Sequence, residues 1–200
     1  MWVRTPAALQ DVLLDMAPRY IFFLHWNWTV TEQVLKRHEC VCFHMTDLPY
    51  GRGGSPLQNL IAAGHRDTCL TALRMVEELD AGPVYLKKPL ALGGTARDIY
   101  IRAGELAESM IAEIIVCRPQ PTAQQGEAVV FQRRLPEQSW LPDKGPLVRL
   151  YDHIRMLDAP GYPLAFIEHG DFCLEFSSAR LDGGLLHAHV VLRPRDMQER

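Results

Sequence analysis

Cys42-Phe43-His44-Met45-Thr46-Asp47-Leu48-Pro49-Tyr50-Gly51-Arg52-Gly53-Gly54-Ser55-Pro56 is the stretch on which the fold turns. Its start is apolar and rich in β-formers, and its end is glycine-rich and closed by Ser-Pro. It therefore reads as a strand, a loop and a helix start, with Ser55 as the cap and Pro56 at the first helical position. Upstream, Tyr20-Ile21-Phe22-Phe23-Leu24 is a short apolar run that predicts a strand buried on both faces. A polar helix over 31–37 separates it from the strand over 40–44. Strand, helix, strand predicts an α/β fold with a mostly parallel, doubly wound, Rossmann-like sheet.

The elements on either side follow from local signals. Thr5-Pro6 caps and opens a helix carrying Leu9, Val12, Leu13 and Met16 at helical spacing until Pro18. After Thr68, Leu70, Ala72 and Val76 indicate extended chain, and Pro83-Val84-Tyr85-Leu86 is the next strand beyond the turn Leu79-Asp80-Ala81-Gly82. Gly94-Thr95 open a long helix with Ile99, Ala103, Leu106, Met110 and Ile114 along one face, ending before Pro119. The polar, proline-containing run 119–127 reads as a linker between a core over 1–118 and a small α+β extension over 128–200. That extension is expected to hold a strand over 128–133, a helix near 146–157 and strands near 164–168, 172–177 and 185–192.

Composition narrows the function classes. Hydrophobic residues make up 48% and charged residues 22%, ordinary values for a globular domain. The formal net charge of −3 supplies no overall basic footprint, so no nucleic-acid partner is expected, although a local patch stays open. Five cysteines without a C-x-x-C pair give no disulfide framework, which points to a cytoplasmic home. No apolar run is long enough to span a membrane. No metal site is expected, because Cys40, Cys42 and His44 alternate along a strand and spread ligands in a line.

His44 at a strand end and Asp80 in a later turn supply an acid/base pair beside an anion-friendly glycine loop. Type, order and spacing of His44, Leu48-Pro49, Arg52-Gly53, Pro56, Thr68, Met75 and Leu79-Asp80-Ala81-Gly82 together resemble the formyltransferase family, which uses 10-formyltetrahydrofolate. Pro136-Glu137-Gln138-Ser139 and the run from Ile154 to Pro163 are similar to segments that follow the family's catalytic domain. The likeness extends over roughly 20–191, with the family's first strand and helix missing ahead of Tyr20. The version over 47–59 looks like the branch acting on nucleotide-linked amino sugars, such as pseudaminic-acid-type glycan precursors.

The resemblance implies the following roles. His44 and Asp80 are catalytic. Leu48, Pro49, Met75, Val76, Leu79 and Asp80 line the folate site, and Trp28, Arg52, Gly53, Gly54 and Ser55 face the acceptor. Cys42 stands where the family carries an asparagine that steadies the oxyanion, so it takes an oxyanion or a packing role. Because a thiol is a poor donor, a backbone N–H of the Gly53-Gly54 loop or protonated His44 would have to serve. A nucleophilic Cys42 activated by His44 is the weaker reading, since no third group or oxyanion hole is evident. Trp26 and Trp28 either stack on a nucleotide or close the core. The expected reaction is formyl transfer to the amine of a nucleotide-linked amino sugar, and a homodimer is compatible with it. Two alternatives remain: a methionyl-tRNA formyltransferase relative, and a catalytically weak folate-binding or interaction protein.

Overall fold

The computed structural model describes residues 1–195, so 196–200 of the expected extension lie outside the described residues. The chain runs α1 (Pro6–Asp15), β1 (Tyr20–Phe23), α2 (Glu32–Arg37), β2 (Glu39–His44), β3 (Tyr50–Gly53), α3 (Pro56–Ala62), β4 (Asp67–Arg74) and β5 (Val84–Ala91). It continues as α4 (Ala96–Cys117), β6 (Val129–Phe131), a 3-10 turn at Pro136–Ser139, α5 (Leu147–Leu157), β7 (Ala165–His169), β8 (Phe172–Asp182) and β9 (Leu185–Pro194). It divides into two compact units. The first comprises Met1–Arg52, Cys69–Lys88 and Glu105–Val130; the second comprises Gly53–Thr68, Pro89–Gly104 and Phe131–Arg200. The α/β class read from the sequence stands.

In the first unit, Thr5 caps α1 as its motif predicts, its hydroxyl accepting from the Ala8 amide at 3.2 Å. Leu9 of α1 packs with Phe23, Val30 and Cys40 into a core that Ile21, Trp26, Leu35 and Met75 flank. The sheet order is β1-β2-β4-β5. β1 and β2 are parallel, as strand-helix-strand predicts, with Phe23 opposite Cys42. β2 and β4 are antiparallel, with His44 opposite Thr71. The difference arises because two elements, β3 and α3, intervene where a single crossover helix would have delivered a parallel strand.

β1 also departs from expectation. It is the outer strand, and of its residues only Phe23 is fully buried. A cavity of about 430 Å³, walled by side chains that include Leu13, Phe22, Trp26 and Ile111, lies against it and leaves that side half-covered.

In the second unit, α3 and α5 are joined by Gln58, whose buried amide donates to the Met156 carbonyl at 3.1 Å and the Tyr100 hydroxyl at 3.2 Å. Arg155, 1% exposed, is held by Asp152 at 2.7 Å and donates to the Leu92 and Gly94 carbonyls at 2.6 and 2.9 Å. These bonds satisfy a buried charge that would otherwise cost several kcal/mol. Thr95 and Asp98 cap the start of α4 reciprocally, Thr95 N–H to the carboxylate at 2.9 Å and Asp98 N–H to the hydroxyl at 3.2 Å. The three strands β7-β8-β9 form an antiparallel sheet. His187 and His189 both lie on β9, as their alternate spacing predicts.

Ser55 occupies the N-cap position of α3 but does not cap it. Its backbone is left-handed (φ 48°), and its hydroxyl accepts from the Arg134 amide at 3.0 Å and meets the Tyr162 hydroxyl at 3.2 Å. Tertiary partners have taken the oxygen that the local motif assigns to the helix.

Candidate active site

His44 ends β2, where the antiparallel pairing to β4 holds its backbone, and the residue is 8% exposed. Its Nε2 lies 2.7 Å from the Gly51 carbonyl oxygen. A carbonyl only accepts, so Nε2 carries the proton and the tautomer is fixed. The other nitrogen, Nδ1, faces the Asp80 carboxylate at 3.5 Å. That separation is in ion-pair range and longer than a tight hydrogen bond. In its neutral form His44 therefore presents a lone pair at Nδ1. Once protonated there, it becomes a cation beside a carboxylate whose side chain is only 10% exposed. The loop that supplies Gly51 is braced by Lys87, which donates to Asp47 at 2.6 Å and to the Leu48 carbonyl at 2.5 Å. The Thr71 hydroxyl donates to the Thr46 carbonyl at 2.6 Å on the same stretch.

Asp80 sits in the left-handed region (φ 54°), which aspartate tolerates better than most side chains. Gly82 follows in a place where a Cβ would lie 1.7 Å from the Arg74 carbonyl oxygen. The Arg74 amide donates to Pro83 O at 2.9 Å, closing the turn between β4 and β5.

Gln124 is the residue that sequence reasoning missed. Its amide donates to the Asp80 and Gly82 carbonyls at 2.7 and 2.9 Å. Its oxygen accepts from Arg52 Nη2 and Nε at 2.8 and 3.1 Å, and Arg52 Nη1 reaches Glu78 at 3.1 Å. A glutamine in a polar loop carries no signal of its own. Only the backbone bonds between Thr122 and Val84, 2.7 and 2.9 Å, bring that loop to the turn. Replacing Gln124 with leucine strips two carbonyls and a guanidinium of their partner at once. The expected cost is ~1–3 kcal/mol, read as a lower denaturant midpoint. An unchanged midpoint would show that the brace carries no load.

The remaining sequence candidates divide. The Leu48 side chain is 1% exposed and belongs to the core, so only its backbone can face a ligand. Pro49 follows it through a cis peptide bond. Met75 packs against the core and donates its amide to Cys40 O at 2.8 Å. Val76 and Leu79 are apolar side chains left 40% and 69% exposed in the segment leading to Asp80. Trp26 packs on the core with its ring edge-on to Trp28, 5.0 Å away, while Trp28 is 48% exposed.

Arg52 spends its donors on Gln124 and Glu78, as described. Gly54 donates its amide to Phe131 O at 3.1 Å, and a Cβ there would sit 2.5 Å from that of Arg133. The Gly54 N–H is therefore engaged, which removes it as the oxyanion donor that the sequence suggested. Gly53 and Ser55 flank it in the second unit, with Ser55 engaged by Arg134 and Tyr162.

Cys42 lies opposite Leu73 on β2. Burial pushes its thiol up to about 12, and the nearby Asp80 carboxylate adds to the rise. At pH 8 only ~10⁻⁴ of such a thiol is ionised, which argues against a nucleophile. Brief treatment of the native protein with iodoacetamide at pH 8 should label exposed Cys117 and spare Cys42 until the chain is denatured. Labelling of native Cys42 at the rate of a free thiol would contradict this.

Residues 136–193 match the family model described as methionyl-tRNA formyltransferase, C-terminal domain. Over 96% of this chain and 86% of the other, it is 44% identical to the solved structure of methionyl-tRNA formyltransferase from Clostridium thermocellum, with a TM-score of 0.92. The chain belongs to the formyltransferase family. A curated relative, methionyl-tRNA formyltransferase of Halorhodospira halophila, is 28% identical over 190 residues, which are 90% of this chain and 61% of that one. The chain thus spans about three fifths of that relative's length. A sugar N-formyltransferase from a Shewanella species, 16% identical with a TM-score of 0.64 over 84% of this chain and 71% of that one, shares the fold.

These matches bear on two expectations. The formyltransferases this chain resembles at substantial identity are named for a tRNA substrate, so the nucleotide-sugar branch is not established. For the same reason, the expected absence of a nucleic-acid partner does not hold as an inference from net charge. Among the described residues no helix is long and apolar enough to cross a membrane.

Proposed function

We propose that the chain transfers a formyl group from 10-formyltetrahydrofolate to the amine of a methionyl-tRNA. The observation that carries this is the His44–Asp80 pair, 3.5 Å apart, in a family member 44% identical to an enzyme named for that substrate. The amine nitrogen attacks the formyl carbon, and a tetrahedral intermediate forms. The bond from that carbon to the folate nitrogen then breaks. The proton shed by the amine passes to His44 Nδ1 and from there to the departing folate nitrogen.

Two groups share the preparation of His44. The Gly51 carbonyl fixes its tautomer, and Asp80 stabilises the cation once Nδ1 is protonated. Cys42, a neutral thiol, packs. With the Gly54 amide engaged, His44 Nε2–H given to the Gly51 carbonyl and Nδ1 facing Asp80, none of these groups is the donor for the oxyanion. The pterin lies against the backbone of Leu48, Pro49 and Asp80, with Met75 and the exposed side chains of Val76 and Leu79 as its apolar wall. In the first unit Trp28 and Arg52 are the candidates for the acceptor. Residues 1–118 are the catalytic core, joined through 119–127 to the extension.

The second reading, transfer to the amine of a nucleotide-linked amino sugar, is favoured by the form of the loop over 47–59. Incubation with labelled 10-formyltetrahydrofolate, offering methionyl-tRNA and a panel of nucleotide-linked amino sugars separately, decides between them. Formylmethionyl-tRNA is the expected product. Label in a sugar instead would transfer the assignment, and label in neither would leave a folate-binding protein without turnover.

A further inference from the structure

β1 is the outermost strand of its sheet, paired with β2 along one edge, and its other edge lies against the cavity of about 430 Å³ in the first unit. All five residues over 20–24 line that cavity. Neighbours along a strand point to opposite faces, so a cavity that takes in every one of them wraps round the edge itself. Ile21 and Phe23 turn to the core beneath α1, and Tyr20 and Phe22 stack on the other face with ring centroids 5.7 Å apart. Leu13 of α1 and Ile111 of α4 wall the opening.

The edge lacks the usual protection against pairing with another chain. No charged residue and no proline falls within 20–24, although such residues are what commonly blunts an exposed strand. Apolar surface continues beyond the strand. Trp2 and Leu14 are 84% and 83% exposed, Met1 and Met16 are exposed as well, and Ile115 is half-exposed one turn on from Ile111 along α4. Met1, Trp2 and Met16 line the same cavity as the strand. At ~100–200 Å² for a large apolar side chain, these residues approach the ~800 Å² that each partner contributes to a standard interface. That is more than the ~300–600 Å² patch of a typical monomer.

We propose that two copies of the chain associate through β1, edge to edge and antiparallel about a twofold axis, so that one sheet runs through both. Three features select a second copy. An open strand edge calls for an extended segment, because only a strand supplies a matching row of N–H and C=O groups. The rim is apolar on both flanks of the edge, and a twofold axis normal to the sheet sets α1 against its own copy and α4 against its own. Charge fixes the direction. Arg19 adjoins the run, its guanidinium 5.4 Å from the Tyr20 ring centroid. Antiparallel pairing sends the two copies of Arg19 to opposite ends, where parallel pairing would set like charges side by side. The association belongs to the first unit and is independent of which amine is formylated.

The test is sedimentation equilibrium of the full chain, 22.7 kDa as a monomer, at concentrations up to about 100 μM. The expected result is a concentration-dependent rise to twice that mass, stopping there because an isologous contact closes. Trp2→Lys and Met16→Lys change exposed side chains on the rim, so the circular dichroism spectrum should stay the same. Each should raise the dissociation constant about tenfold or more. Hydrogen exchange tests the strand itself. Amides over 20–24 should exchange more slowly at high concentration than at low, and both variants should remove that difference. A monomer at every concentration overturns the proposal. A dimer whose mass and β1 exchange ignore both variants forms elsewhere and overturns it too, as does open-ended growth beyond two copies. Protection of 20–24 in a monomer, or by a different polypeptide bound one to one, would give the edge another occupant and equally overturn it. Formyl transfer is read in none of these measurements, so failure here leaves the proposed reaction standing.

Discussion

Asp80→Asn is expected to lower formyl-transfer turnover by ~100-fold or more while folate still binds nearly as well. The substitution keeps the shape and the turn but removes the negative charge facing His44 Nδ1. Its size follows from Coulomb's law. At 3.5 Å a charge pair is worth ~1 kcal/mol in bulk water and ~5 kcal/mol at an effective dielectric of 20. A hundredfold rate loss is ~2.7 kcal/mol, between those limits, as suits side chains 9% and 10% exposed. The loss appears in turnover, because the cation exists only after the proton has moved. The donor is unaffected, because the loop is proposed to meet the pterin through its backbone. Titration with 5-formyltetrahydrofolate, a stable mimic, measures the binding, and single-turnover formylation measures the rate. Unchanged turnover would remove Asp80 from the mechanism, whereas loss of folate binding would recast it as a binding residue.

What the sequence made legible is local. Thr5-Pro6 opens α1 and Thr95 caps α4, because the cap and the groups it satisfies lie within one turn of chain. The Asp80 turn and the His44 strand end were readable for the same reason, and family spacing linked them. Direction and depth were not readable. β1 is half-covered because its position at the sheet edge depends on the whole strand order, and the β2–β4 pairing is antiparallel because of the path between them. Ser55 has a helix-cap signature, but its oxygen is claimed by Arg134, distant in sequence. Gln124 was hidden by the same property, because its partners come from separate segments. A net charge of −3 is equally blind to place. Composition is a sum over the chain, whereas binding responds to the field at one place.

That distinction between local signal and long-range demand makes Gly82→Ala the sharpest test of how the fold delivers the site. Read alone, Asp-Ala-Gly is an ordinary turn, and one methyl at an exposed turn would cost little. Here the added Cβ would stand 1.7 Å from Arg74 O and 2.9 Å from Arg74 C, both backbone atoms that no side-chain rotation can clear. The turn must back away from β4. Doing so strains the Arg74–Pro83 bond of 2.9 Å and the pair of carbonyl bonds from Gln124 that fix Asp80 and Gly82. The expected cost in stability is ~1–3 kcal/mol, the usual range for overpacking. The expected cost in turnover matches that of Asp80→Asn, although no catalytic atom is replaced, because displacement of about an ångström at the site can cost ~100-fold. The double variant Gly82→Ala/Asp80→Asn separates shared from independent action. If Gly82 acts by placing Asp80, the second substitution adds little to the first, and the losses are far from additive. Full additivity of the two losses in turnover would mean that Gly82 serves the enzyme by some route other than holding Asp80 against His44.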